Sequence, residues 1–316
     1  MTAVNPVRVG VVDLGTNSTR LLVADVVGGV VRELRRETVI TRLGQGVDAT
    51  GELAEEAVAR VVAALEGFEE IRRELRPAET VALATSAVRD ARNGEAFRAL
   101  LNERFGLDAR TIPGDEEARL SFLGATSARP PGGPPTLVLD IGGGSTEFVV
   151  GTPGEDPGFF VSTQAGGVRQ SERHLHDDPP SQAQVADAAL EVQLIIEAAV
   201  PAELLASTAE GIAVAGTATS LAAIDQELEP YDPAKVQGYQ LALGDCERML
   251  AMLAGMPLDE RREVPGLHPD RAPTIVAGTV IILEAMRAFG LDAVETSEAD
   301  ILHGAALVAA RSTRSD

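Results

Sequence analysis

Cysteine is almost missing from this chain, with Cys246 alone among 316 residues. No internal disulfide can form, and a reducing compartment, the cytoplasm, is the expected setting. Lysine is as scarce: Lys235 is the only one, so every other basic side chain apart from histidine is an arginine. Basic residues number 27 against 48 acidic ones, a formal net charge of −21. That balance excludes general binding to nucleic acid or to an anionic membrane. Long apolar runs are also lacking. The longest mainly apolar stretch, Ile275–Leu283, is far shorter than the roughly 20 residues that span a bilayer, and Glu284 follows it. Met1–Pro6 lacks the basic region and apolar core of a secretion signal.

Against these absences stands one pattern that occurs twice. Val9-Gly10-Val11-Val12 leads into Asp13-Leu14-Gly15-Thr16-Asn17-Ser18-Thr19-Arg20 and then Leu21-Leu22-Val23. Leu137-Val138-Leu139 leads into Asp140-Ile141-Gly142-Gly143-Gly144-Ser145-Thr146-Glu147 and then Phe148-Val149-Val150. Each copy reads as strand, acidic-Gly turn, strand. A turn of Gly, Ser and Thr presents backbone N–H groups and hydroxyls at short range, which suits phosphate oxygens. The Asp closing each first strand can hold a divalent cation, directly or through water. Two such turns in register point to a duplicated fold that clamps a phosphate–metal group between two lobes. The negative net charge repels a polyanionic substrate at long range, so local arginines and a bound cation must reverse the field at the site.

The length allows two domains with separate cores, and 45% hydrophobic residues imply a folded chain. Strands are expected over Val7–Val12, Arg20–Val26, Val30–Glu37 and Val81–Ala84. Leu53–Leu75 has helical spacing, with Leu53, Ala57, Val61, Ala64, Leu65 and Phe68 on one face. Further helices are expected over Gly94–Phe105, Glu116–Ala125, about Ser181–Ala199 with Ser181 as N-cap, Ala272–Phe289 and Asp300–Ala310. Arg129-Pro130-Pro131-Gly132-Gly133-Pro134-Pro135 fits neither helix interior nor central strand and reads as a boundary loop. The buried strand Ile212–Ala215 runs into Gly216-Thr217-Ala218-Thr219-Ser220, expected to be a third Gly/Thr turn.

Hydrolysis of a phosphoanhydride needs charge neutralisation, a positioned water and a base. Asp13 and Asp140 are the metal candidates. Thr16, Asn17, Ser18 and Arg20 of the first turn, Gly142, Gly143, Gly144, Ser145 and Thr146 of the second, and Gly216 and Thr217 form the candidate phosphate cradle. Arg20 ends the first turn where Glu147 ends the second, so one copy offers a cation and the other a carboxylate. Arg89, after a buried strand, is either a phosphate ligand or a loop arginine paired with Asp90. Glu116 is accounted for by the helix dipole at the start of its helix. His174 and His176 read as a surface helix end rather than a metal site, and Cys246 as a small buried apolar residue.

The chain resembles the exopolyphosphatase and guanosine pentaphosphate phosphohydrolase family, of the actin–hexokinase–chaperone superfold, nearly from end to end. The resemblance is carried by DLGTNSTR from Asp13, RLGQGVD from Arg42, ATSAVRDARN from Ala84, PGDEEARLSFLGA from Pro113 and DIGGGSTE from Asp140. GGVR from Gly166, AGTATSLAA from Ala215 and SEADILHG from Ser297 continue it. It implies an α/β protein with two similar lobes of the actin-like ATPase (ribonuclease H-like) fold and a cleft between them. Residues 1–128 would form the first lobe, with a final helix over 300–312 returning to it, and 136–316 the second. The resemblance assigns Glu117 as catalytic base, Asp140 and Glu147 to metal and catalytic support, and Arg89 to phosphate. It implies an exopolyphosphatase using Mg²⁺ or Mn²⁺, acting on inorganic polyphosphate or guanosine pentaphosphate, as a homodimer. Pro113 departs from a common Ser, and Leu302-His303 from a common Arg-Glu. The extra C-terminal helical domain of longer members is not in this sequence, from which a preference for shorter polymers is expected. A sugar or acid kinase of the same superfold and a non-catalytic phosphate sensor are the alternatives.

Overall fold

Val7–Leu14 is the hub of the first sheet because it is apolar enough to be covered on both faces, and its last six residues are all buried. The computed structural model describes residues 5–208 and 210–313. The described residues up to Ala128, with those from Ile301 onward, form one compact unit, and Arg129–Asp300 form another.

The first unit runs β1 (Val7–Leu14), β2 (Ser18–Val27), β3 (Val30–Ile40), α1 (Val47–Thr50), α2 (Glu55–Leu75), β4 (Glu79–Ala84), α3 (Ser86–Asp90), α4 (Gly94–Phe105), β5 (Ala109–Thr111) and α5 (Gly114–Thr126). Its sheet has the order β3-β2-β1-β4-β5: the first three strands are an antiparallel meander, while β4 and β5 join β1 in parallel. The face expected for α2 is the one buried, from Ala57 to Phe68, and α4 stops at Gly106 with φ 62°.

The second unit runs β6 (Thr136–Ile141), β7 (Thr146–Gly151), β8 (Phe159–Thr163), α6 (Gly167–His174), α7 (Gln182–Ala199), α8 (Ala202–Ser207), β9 (Glu210–Val214), α9 (Ala215–Asp225), α10 (Pro233–Val236), β10 (Gln240–Ala242), α11 (Leu243–Ala254), α12 (Leu258–Arg261), α13 (Ile275–Phe289) and β11 (Ala293–Thr296). Its sheet order is β10-β11-β9-β6-β7-β8. Apart from β10, this repeats the first sheet strand for strand, with an antiparallel β6-β7-β8 meander and parallel β9 and β11. The α/β duplication expected from the two turns is therefore present in the topology of both units. Ser181 caps α7 through a reciprocal pair of bonds with Gln184.

One local expectation is corrected. Gly216–Ser220 is not a turn but lies within α9. The change of direction is made by a single residue, Ala215 at φ 64°, and Ala218, Leu221 and Ala222 are then fully buried along the helix. Composition rich in Gly and Thr suits a turn, but burial of the alanine-leucine face decides for helix. No helix among the described residues is long and apolar enough to cross a membrane.

The last helix, α14 (Ile301–Ser312), packs in the first unit, where Ile301, Leu302, Ala305 and Ala306 share a core with Val9, Val11 and Leu22. His303, buried beside them, lies 3.2 Å from Glu33 through Nε2, and its Nδ1 accepts from Arg36 at 3.3 Å. The position that departs from the Arg-Glu pattern is thus polar and tied to β3.

Gly304 sets how closely α14 approaches α5: a Cβ there would lie 1.9 Å from the Leu120 carbonyl oxygen. Helix propensity alone gives Gly304→Ala a gain of about 1 kcal/mol. Overlap with a backbone oxygen forces the helices apart, at a cost of about 3 kcal/mol. We expect a net loss of about 2 kcal/mol in denaturant titration, and a net gain would show that the contact is loose. Cys246 is fully buried in α11, and burial, with Asp245 and Asp225 nearby, pushes its thiol from 9.0 up to about 12. Above pH 9 the unfolded thiol loses a proton that the folded one keeps, so stability falls with rising pH until about 12. Unfolding measured between these pH values should show this slope in the native protein and less of it in Cys246→Ala.

Candidate active site

The first turn is closed by the Gly15 N–H donating to the Ser18 carbonyl at 3.0 Å, and the second by Gly142 donating to Ser145 at 3.0 Å. The sequence repeat is therefore a repeat of hydrogen bonding. Behind each turn a second loop takes up its carbonyls. In the first unit, Thr41 and Arg42 give their N–H groups to the Asn17 carbonyl at 3.1 and 2.9 Å, and Gly44 gives its own to Thr16 at 2.8 Å. In the second, Gly167 bonds Gly142 at 2.9 Å and Val168 bonds Gly143 at 2.8 Å, while Arg169 Nε donates to Gly144 at 2.9 Å. These backing loops need glycine at the point of closest approach. A Cβ on Gly44 would lie 2.3 Å from Thr16 Cγ2, and one on Gly166 would lie 2.3 Å from the Gly143 oxygen.

With its carbonyl oxygens occupied, each turn no longer turns repulsive oxygens toward an anion, and its amides and hydroxyls set its character. Thr16 and Ser145 are buried, Asn17, Ser18, Gly142 and Gly143 half-buried, and Gly144 buried. Thr146 is an exception within the candidate cradle: its hydroxyl donates to the Ala165 carbonyl and braces the loop behind.

Asp13 and Arg20 face each other across β1 and β2, and both Nε (2.9 Å) and Nη2 (2.8 Å) of Arg20 reach one oxygen of Asp13. The two residues expected to take metal and phosphate thus hold each other. Beside them, β4 and β5 end level with β1, as shown by Leu14 opposite Ala84 and Ala84 opposite Thr111. This places Asp13, α3 and the start of α5 at the carboxyl end of the parallel strands, where ligands of open α/β sheets bind. Arg89 on α3 donates to the Ile112 carbonyl at 3.0 Å and to Glu117 Oε2 at 3.1 Å. Glu117 is 8% exposed in the first turn of α5. Its neighbour Glu116 makes a bidentate surface pair with Arg110 at 2.8 and 2.6 Å. Adjacent glutamates are therefore sorted into a surface ion pair and a buried carboxylate held by a cation.

In the second unit, Asp140 pairs in register with Glu147 across β6 and β7, and Ser162 on β8 donates to Glu147 Oε1 at 2.7 Å. Both carboxylates are buried. Like charges directly opposite on neighbouring strands repel, so this pair suits a divalent cation, and Mg²⁺ commonly takes one or two carboxylates plus substrate oxygens. Among the described residues there is no group of three or more His, Cys, Asp or Glu placed to hold a metal. His174 pairs with Glu191 at the end of α6, as expected for a surface helix end. Gly216 and Thr217 open α9 at the carboxyl end of β9, next to Asp140 opposite Val214.

Four contributors were not identified as site residues from sequence. Ser162 becomes visible only through strand register. The RLG and GGVR loops were recognisable as motifs but carried no role. Arg271 has no motif, yet its guanidinium lies directly on Gly216, where a Cβ would sit 1.5 Å from Nη1.

A profile of the Ppx/GppA phosphatase family matches residues 22–311. The chain is 38% identical over 313 residues to exopolyphosphatase 2 of Mycobacterium tuberculosis, covering 95% of this chain and 98% of that protein. Among solved structures it is similar to an exopolyphosphatase-like protein, with 34% identity and a TM-score of 0.91 over 98% of this chain and 99% of that one. It is also similar to an exopolyphosphatase from Cytophaga hutchinsonii, with 28% identity and a TM-score of 0.87 over 96% and 98% of the two chains.

The backing loop of the second turn gives a paired test. Gly166→Ala has to move the turn and should cost about 1–3 kcal/mol of stability. Gly167→Ala meets nothing nearer than the Thr274 oxygen at 3.6 Å and should stay within about 0.5 kcal/mol of the parent. Equal effects in chemical denaturation would refute the close-packed role of Gly166.

Proposed function

The chain belongs to the Ppx/GppA phosphatase family, and from that premise we propose that it is an exopolyphosphatase, releasing terminal phosphate from inorganic polyphosphate. The observation that carries the reading is the buried Glu117 carboxylate, held by Arg89 at 3.1 Å at the carboxyl end of the first sheet. Glu117 orients a water and takes its proton as the water oxygen bonds to the terminal phosphorus. The phosphoanhydride bond breaks, and the shortened polyphosphate leaves with the bridging oxygen. Arg89 holds Glu117 in place, and can share its guanidinium with a phosphoryl oxygen.

In the first unit the amides and hydroxyls of Thr16, Asn17 and Ser18, and in the second those of Gly142, Gly143, Gly144, Ser145, Gly216 and Thr217, suit phosphate oxygens. Arg20 does so while neutralised by Asp13, and Arg271 adds charge beside Gly216. A divalent cation, Mg²⁺ or Mn²⁺, supplies charge stabilisation to the phosphoryl oxygens when bound. Asp140 and Glu147 in the second unit, and Asp13 in the first, are the carboxylates that would hold such a cation. A cytoplasmic location follows from the lone cysteine, Cys246, and a homodimeric assembly is what the family resemblance implies.

Phosphate release measured with Mg²⁺ on short polyphosphate, long polyphosphate and guanosine pentaphosphate tests the reading. Glu117→Gln should reduce kcat on polyphosphate by about 10²–10⁴-fold with KM little changed. Release from the nucleotide alone would move the substrate assignment, and an unaffected Gln variant would remove Glu117 as base.

A further inference from the structure

β3 ends the first sheet, and among the described residues no strand lies beyond it. An open edge of 11 residues is a template for another strand. Val30, Leu34 and Val39 on it are large apolar side chains left 58%, 41% and 38% exposed. Charged residues commonly guard such an edge. Here they are spaced to meet their opposites in a second copy of the chain.

Leu34 is an extra residue in β3, because Glu33 lies opposite Ala24 and Arg35 opposite the adjacent Val23. This bulge resets the alternation of faces along the strand. Val30, Arg32, Glu37 and Val39 stand opposite Val27, Asp25, Leu21 and Thr19. They share the face on which Leu21 and Val23 pack with α2. Val31, Glu33, Arg36 and Thr38 share the other face, the side of α14. An antiparallel copy of β3, related by a two-fold axis at Leu34–Arg35, therefore has its faces in register. Val30 then lies opposite the copy's Val39, and Arg32 opposite its Glu37. On the other face Val31 meets Thr38, and Glu33 meets Arg36. No like charges are opposed. Sliding one copy by two residues sets Arg32 against Arg35 or against Val39.

The neighbouring helix supports the same placement. Glu37, Val39, Arg60, Ala63, Gly67 and Ile71 line one groove between β3 and α2. A Cβ on Gly67 would meet nothing within 4 Å, so the chain's own packing does not require this glycine, which weakens a helix interior. The copy's Val30, opposite Val39, is the side chain that reaches this groove. β3 also carries three arginines against two glutamates, a local excess of positive charge where two chains of net charge −21 can approach.

We propose that β3 is a self-recognition edge, at which two copies of this chain join antiparallel and run their first sheets into one. The inference does not rest on the polyphosphatase reading, and its test reads molar mass rather than turnover.

Light scattering during gel filtration of the full chain should give twice the 33.0 kDa of one copy. Arg32→Glu opposes like charges at two symmetric places and should raise the dimer dissociation constant at least about tenfold. Adding Glu37→Arg to it restores the pairing with signs exchanged and should bring the constant back to within about threefold of the parent. Gly67→Gln fills the groove from an exposed helix position, so it should weaken the dimer while the melting temperature holds or rises. A parent that is monomeric at micromolar concentration would overturn the proposal. So would a dimer indifferent to Arg32→Glu and Gly67→Gln, which would join through another face, or a double variant no better than Arg32→Glu alone.

Discussion

What each unit offers at its glycine turn depends on where the carbonyl oxygens of that turn are sent. A tight glycine turn exposes backbone acceptors as readily as donors, and acceptors repel phosphate. Here Thr16, Asn17, Gly142, Gly143 and Gly144 each have the carbonyl taken up by a backing loop. The backing loops differ in sequence and secondary structure: RLG precedes the short α1, whereas GGVR enters α6. They share the task and the means, a glycine pressed against the turn with successive N–H groups behind it. The duplicated fold has thus kept a pattern of hydrogen bonding while exchanging the segments that deliver it.

Sequence reading recovered the features that local chemistry determines. The paired turns follow from Asp and Gly at matched places between apolar runs, and the buried face of α2 follows from helical spacing. The sorting of Glu116 from Glu117 was half legible: the helix start favours both carboxylates, and only burial with Arg89 separates them. What was not legible is long-range pairing. Asp13 meets Arg20 because β1 and β2 are in one register, and Ser162 meets Glu147 because β7 and β8 are in another. Arg271 reaches Gly216 across 55 residues that carry no pattern linking them. The Gly216–Ser220 segment was misread because composition weighs every residue alike, whereas one strained alanine and a buried apolar face decide its form.

The charged residues of the first unit's site are stored as pairs. Arg20 neutralises Asp13, and Arg89 neutralises Glu117. Buried ion pairs recover desolvation poorly and contribute little net stability, so their value lies elsewhere. A paired cation remains in place and can be shared with an arriving phosphate. In a chain with so large a negative charge, pairing also prevents the site carboxylates from adding to the repulsion that a polyanion meets.

The second unit breaks that rule at the equivalent place. Glu147 stands where Arg20 stands, so Asp140 has a carboxylate opposite it where Asp13 has a cation. Two buried carboxylates in register are unfavourable unless positive charge or a proton lies between or beside them. Ser162 satisfies one oxygen of Glu147 but brings no charge. The first unit carries the charge opposite its aspartate as an arginine, and the second carries there a glutamate bonded to Ser162. The last residue of two otherwise matched turns is therefore where the units part in charge: a cation faces the aspartate in the first and a second carboxylate faces it in the second.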